Sequence, residues 1–128
     1  MSAATVGAVP VLVVDDDADI RASVAEILRG EGYAVCEAED GERALQLIDH
    51  ERFAVMVLDI QMPRCGGVAV LDALDDPPPV VVMSAHPLDG ADKRRLRPKI
   101  RSFLRKPFPP RLLIDSVAAI LGTAEGGS

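Results

Sequence analysis

Phe53-Ala54-Val55-Met56-Val57-Leu58 is an unbroken apolar run of strand length, and it ends in a carboxylate, Asp59. A strand without polar alternation has to be covered on both faces, the situation found at the centre of a parallel sheet flanked by helices. Pro63 follows four residues after Asp59 and cannot continue a ladder, so the chain is expected to leave the sheet just past the acid. An aspartate in that place is either a plain turn former or a functional group held at the carboxyl edge of a central strand, and the run alone does not separate the two.

The rest of the chain repeats the design. Val9 to Val14 is a second all-apolar run, with Pro10 near its start, and it ends in Asp15-Asp16-Asp17. Behind it Ile20, Val24, Ile27 and Leu28 recur at helical spacing, with Asp17 or Asp19 suited to cap the start and Gly30 or Gly32 the end. Tyr33 to Glu37 makes a short strand near a sheet edge. Asp40-Gly41 opens a second helix that turns Ala44, Leu45 and Ile48 inward and runs to about His50. Gly66-Gly67 leads into a third helix carrying Val68, Leu71 and Leu74, stopped by Asp75-Asp76-Pro77-Pro78-Pro79. Val80 to Met83 is a third buried strand ending at Ser84. Leu88 to about Arg97 is a short helix, crowded by Pro87, Gly90 and Pro98. Ser102 to Arg105 makes the last strand, ending at Lys106, and Pro109-Pro110 opens a final helix through Leu113, Val117, Ile120 and Leu121. Residues 1–8 and 122–128 look like flexible tails around one domain, 9–121. The order is (βα)5, which calls for an α/β fold with a five-stranded parallel sheet, helices on both faces and right-handed crossovers.

Composition narrows the function. The chain has 128 residues, 48% hydrophobic and 27% charged, ordinary for a globular domain with a real core. No apolar run reaches membrane-span length, and no basic region followed by an apolar signal core opens the chain, so no membrane association and a cytoplasmic location are expected. Cys36 and Cys65 form no metal or redox spacing and are expected to be free thiols, Cys65 an incidental loop residue. A net charge of −6 argues against direct nucleic-acid binding. Yet eight of the fourteen basic residues fall between Lys93 and Lys106. That cluster is either a solvated face or a docking face for an acidic partner.

In a parallel sheet all strand carboxyl ends share one edge, and ligands bind there, where the strand order reverses. Those ends here carry Asp15-Asp16, Asp59, Ser84 and Lys106. Each has a dull explanation singly; all four together suit phosphate and metal chemistry. Two carboxylates about 4 Å apart repel by about 4 kcal/mol at an effective dielectric near 20, so converging acids call for a cation. Mg²⁺ suits them, since it takes one or two carboxylates, keeps waters and accepts phosphate oxygens. Adjacent strands lie about 4.8 Å apart, so Lys106, two strands from Asp59, can still reach it. The set offers a carboxylate nucleophile, a metal site, a hydroxyl and an ammonium.

At Val11-Leu12-Val13-Val14-Asp15-Asp16, Leu58-Asp59-Ile60-Gln61-Met62-Pro63 with Gly67, Met83-Ser84-Ala85 and Phe103-Leu104-Arg105-Lys106-Pro107-Phe108, the chain resembles the receiver domain of two-component response regulators. The resemblance covers nearly all of the chain. It implies a three-layer α/β/α, flavodoxin-like fold with strand order 2-1-3-4-5. It also implies a phosphorylatable signalling switch rather than an enzyme, catalysing only its own Mg²⁺-dependent phosphorylation and dephosphorylation. On this reading Asp59 accepts a phosphoryl group from a sensor histidine kinase or a histidine phosphotransfer protein. Asp15, Asp16, Asp59 and the backbone carbonyl of Gln61 hold Mg²⁺ or Mn²⁺, while Ser84 and Lys106 bind the phosphoryl oxygens. Lys106-Pro107 is a cis peptide. Ser84 and Phe103 form the switch, Phe103 turning inward as Ser84 moves, and Gln61 and His86 sit at the two positions that tune phosphoryl lifetime.

Output is expected on the face of the fourth helix, fifth strand and fifth helix, through a downstream protein or a fused output domain, with homodimerisation on phosphorylation as a further option. Lys99-Ile100 departs from the Gly-Ala pair usual before the last strand, which puts that face in question. A stand-alone regulator and a piece of a longer one are both compatible. Two rivals remain at this level. One is a haloacid-dehalogenase-type phosphatase using Asp15 as nucleophile and Asp17 as acid; the other is an interaction module that keeps the fold without being phosphorylated.

Overall fold

The computed structural model describes residues 8–62 and 66–124. The turn at Pro63 and the thiol of Cys65 lie outside the described residues, as do 1–7 and 125–128.

In chain order the elements are β1 (Pro10–Val14), α1 (Ala18–Gly30), β2 (Ala34–Ala38), α2 (Gly41–His50), β3 (Val55–Asp59), α3 (Gly67–Ala73), β4 (Val80–Ser84), α4 (Gly90–Leu96) with a 3-10 turn (Arg97–Lys99), β5 (Ile100–Arg105) and α5 (Pro110–Ala124). The strands pair in parallel in the order β2-β1-β3-β4-β5, as expected. β3 is therefore the middle strand, and all five of its residues are buried.

The unbroken apolar strands are explained by two cores, one per sheet face. Leu12, Val14, Met56, Leu58, Val80 and Val82 pack on one face under α2, α3 and α4. Val11, Val13, Val55, Val57, Val81 and Met83 pack on the other under α1 and α5. Alternate side chains of one strand point to opposite faces, so a covered strand needs apolar residues at every position.

The caps follow local chemistry. Asp17 caps α1, its Oδ1 accepting from the Asp19 and Ile20 amides at 2.9 and 3.1 Å, and Asp40 caps α2 through the Arg43 amide at 2.8 Å. Of the two glycines expected to close α1, Gly32 does so, in the left-handed region at φ 95°.

Several boundaries differ from expectation, among them the start of α4, which lies at Gly90 rather than Leu88. β2 is shifted one residue, to Ala34–Ala38. In α3, Val70 and Leu71 are fully buried, and the helix ends at Ala73, with Leu74 as its cap. β5 starts two residues early, at Ile100, because Arg101 is an extra residue between the pairs Val80↔Ile100 and Val81↔Ser102. As an edge strand it is only partly covered, so it lacks the apolar signature of the inner strands. α5 runs to Ala124, past the expected tail boundary at 122. A helix already docked through Leu113, Val117 and Ile120 tolerates Gly122 at about 1 kcal/mol.

α4 is short, as its glycine and prolines require, and two cations fasten its segment to α3. Arg95 pairs with Asp72 on α3 and, at 2.7 Å, with Asp92 on its own helix. Lys99 Nζ donates to the carbonyls of Leu71 and Leu74 at 2.6 and 2.8 Å, satisfying the end of α3. No helix among the described residues is long and apolar enough to cross a membrane.

Candidate functional site

The strand order reverses between β1 and β3, and the acids gather at that switch point. Asp15 follows β1 directly and is fully buried. Its Oδ1 accepts from the Asp17 amide at 2.9 Å and its Oδ2 from Lys106 Nζ at 3.0 Å. Arg21 holds the Asp15 carbonyl at 2.9 Å. Asp59 ends β3 with 4% of its surface exposed; its Oδ1 accepts from the Gln61 amide at 2.9 Å, and its Oδ2 lies 3.4 Å from Lys106 Nζ. Asp16 is exposed at the rim. One carboxylate oxygen from each of Asp15, Asp16 and Asp59 lies within 4.8 Å of the others.

Lys106 arrives from β5 across β4, its amide donating to the Ser84 carbonyl at 2.8 Å, and the Lys106-Pro107 peptide is cis, as the resemblance implies. The electrostatics are those of a crowded acidic pocket with one ammonium. Burial first, and then the charge of Asp15, push the Asp59 carboxyl up to about 6, against the Gln61 amide and Lys106, which pull it down. Burial alone would lower the Lys106 ammonium. The hydrogen bond and charge of Asp15, then Asp59, outweigh it, so Lys106 stays firmly cationic. Three carboxylate oxygens this close, two from largely buried residues, fit the donor set a hard divalent cation takes.

Gly67 sets the depth of the site. A Cβ there would meet the Ile60 Cα at 2.5 Å and the Asp59 carbonyl at 2.7 Å, so the first turn of α3 can press against the chain leaving β3 only if that residue is glycine.

The remaining expected residues are placed less simply. Ser84 is buried at the end of β4, but its hydroxyl is engaged by its own loop, donating to the His86 carbonyl and accepting from the His86 amide at 3.1 Å. Gln61 sends its side chain across the mouth of the site, Oε1 accepting from the Ala85 amide at 3.2 Å. His86 is exposed, and Phe103 is turned outward, 40% exposed. The structure therefore brings Asp15, Asp16, Asp59 and Lys106 together and leaves Ser84 facing its loop. Sequence reasoning missed Arg105, whose Nε donates to the Ala85 carbonyl at 3.1 Å, and Arg21. Both contacts end on main-chain oxygens, which leave no trace in residue identity or spacing.

The molecule is a doubly wound parallel α/β domain with a carboxylate pocket that could hold a metal ion, and a lysine, at its switch point. A sequence model of the response regulator receiver domain matches residues 11–118, and the chain belongs to that family, the phosphorylatable switches of two-component signalling. It is 40% identical over 114 residues to the transcriptional regulatory protein PrrA of Mycobacterium tuberculosis, covering 87% of this chain and 49% of that one. To the transcriptional regulatory protein CpxR of Escherichia coli it is 34% identical over 113 residues, covering 87% and 48%. The chain thus spans about half the length of these curated relatives. Among solved structures, the Francisella response regulator 1452 receiver domain superposes with a TM-score of 0.81 at 29% identity, over 90% of this chain and 98% of that one. A CheY-like receiver domain protein from Methanospirillum hungatei gives 0.85 at 25% identity, over 95% and 100%.

Proposed function

We propose that Asp59 accepts a phosphoryl group from a phosphohistidine on a sensor kinase or phosphotransfer protein, in the cytoplasm. The observation that carries this is the convergence on Asp59 of Lys106 Nζ at 3.4 Å and of the Asp15 and Asp16 carboxylates. An Asp59 oxygen forms the new P–O bond as the N–P bond breaks, and the bonding pair leaves with the imidazole nitrogen. With its carboxyl near 6, Asp59 is mostly ionised at neutral pH, as a nucleophile must be. Lys106 is within reach of the transferred oxygens, and Ser84 meets them once its hydroxyl leaves the His86 backbone. Asp15, Asp16, Asp59 and the Gln61 carbonyl would hold Mg²⁺, or Mn²⁺, which polarises the phosphoryl oxygens when bound. Gln61 and His86 flank the entry and tune how long the phosphoryl group survives.

The signal leaves through the α4-β5-α5 face, to a separate protein, a fused output domain or a second copy of the chain. Between α4 and β5 lies a groove of about 530 Å³ with Leu88, Ile100 and Phe103 in its wall and Lys93, Arg97 and Arg101 around it. Its basic rim suits an acidic protein segment with an apolar anchor better than a nucleic acid, which the overall charge of −6 repels.

The test is incubation with a small acyl phosphate and Mg²⁺, followed by mass measurement. A stoichiometric adduct that disappears in Asp59→Asn supports the reading. Turnover that survives Asp59→Asn would return the phosphatase alternative, which the family match opposes; no adduct under any condition would leave a passive interaction module.

A further inference from the structure

Ser84 has to leave its present contacts before its hydroxyl can meet a group on Asp59, and the loop after β4 is tied down at three points. Ser84 Oγ is satisfied within the loop by the carbonyl and amide of His86. The Ala85 amide donates to Gln61 Oε1 at 3.2 Å, and the Ala85 carbonyl accepts from Arg105 Nε at 3.1 Å. The two sides of Ala85, the residue directly after Ser84, are thereby clamped from β5 and from the loop after β3.

Arg105 is an exposed side chain on an edge strand, and among the described residues no carboxylate lies within ion-pair range of it. Its hydrogen bond to a neutral carbonyl is a charge-assisted one that water can replace, so it biases the loop without locking it. It also lines the groove beside Phe103, the other half of the expected switch.

We propose that Arg105 is a positioning residue that holds the Ser84 loop in its resting position and so sets how readily Asp59 is phosphorylated. The proposal rests on Asp59 being the phosphoacceptor. If the loop exchanges between a resting form and one with Ser84 turned to the site, removing a tie present only in the resting form raises the population of the other, and the reaction that needs it speeds up by the same factor.

The experiment compares the native protein with Arg105→Gln. The first readout is the exchange of the Ala85 and His86 amides with solvent, by NMR, without any phosphodonor. The second is the rate of adduct formation with a small acyl phosphate and Mg²⁺, and the third is the thermal midpoint. Loss of one such bond is expected to raise both rates about three- to tenfold with the midpoint nearly unchanged. Unchanged exchange at both amides would overturn the proposal whatever the phosphorylation rate does, and so would faster exchange with an unchanged rate. A native protein that forms no adduct would instead overturn the assignment of Asp59, a different failure with a different signature.

Discussion

At the scale of single residues, Asp59 shows what the pocket costs the molecule. A carboxyl near 6 in the fold and near its ordinary value when unfolded binds more protons in the native state between about pH 4 and pH 6. Metal-free stability therefore falls as pH rises through that window and stays low above it. Asp59→Asn should stabilise the chelator-treated protein at neutral pH by on the order of 1 to 2 kcal/mol, an advantage that vanishes below about pH 4. Denaturant titrations at several pH values check both the sign and the window. Gly67 is the steric counterpart. Gly67→Ala places a methyl 2.5 Å from the Ile60 Cα, and the expected loss is about 1 to 3 kcal/mol with reduced phosphorylation, since the displaced backbone is that of Asp59 and Ile60. Thermal unfolding and adduct mass report the two effects separately.

At the scale of elements, α4 stands out. Seven residues are too few to hold a helix by propensity, so this one depends on its docking. Leu96 goes into the core, Arg95 bonds Asp72, and Lys99 donates to two carbonyls at the end of α3. The Lys99-Ile100 pair that set this chain apart in sequence thus has a local purpose: Lys99 caps α3. Lys99→Met keeps much of the stem and removes both hydrogen bonds, leaving the Leu71 carbonyl with only the Leu74 amide at 3.3 Å and the Leu74 carbonyl without its ammonium donor. The expected destabilisation is about 1 to 2 kcal/mol, read as a lower denaturant midpoint at constant slope. β5 differs in the other direction. Its expected start was late because an edge strand with a bulge at Arg101 carries neither a continuous apolar run nor clean alternation.

At the scale of the whole molecule, the charge is divided: acids at the carboxyl edge of β1 and β3, bases around α4 and β5. Because the carboxylates converge only in the fold, a divalent cation should bind the native chain and not the unfolded one. Mg²⁺ at a hundredfold excess over its Kd should then raise stability by about 2.7 kcal/mol. Asp16→Asn removes the exposed carboxylate of the three, so it should abolish most of that gain while leaving metal-free stability nearly unchanged. Melting curves with Mg²⁺ and with chelator decide it.

The sequence by itself determined the five alternating units, their parallel pairing and the chemical identity of the residues that end β1, β3, β4 and β5. Those features are written locally, in apolar periodicity, in caps such as Asp17 and Asp40, and in the polar residue that stops each run. Only the tertiary structure decided that Lys106 bridges Asp15 and Asp59, that Ser84 faces its own loop, and that Arg105 and Lys99 fasten neighbouring elements through main-chain oxygens. A long cationic side chain looks the same in sequence whether it is solvated or seated. For Arg105 and Lys99 the partner is a carbonyl that every residue possesses, so only the packing of the sheet selects which one each meets.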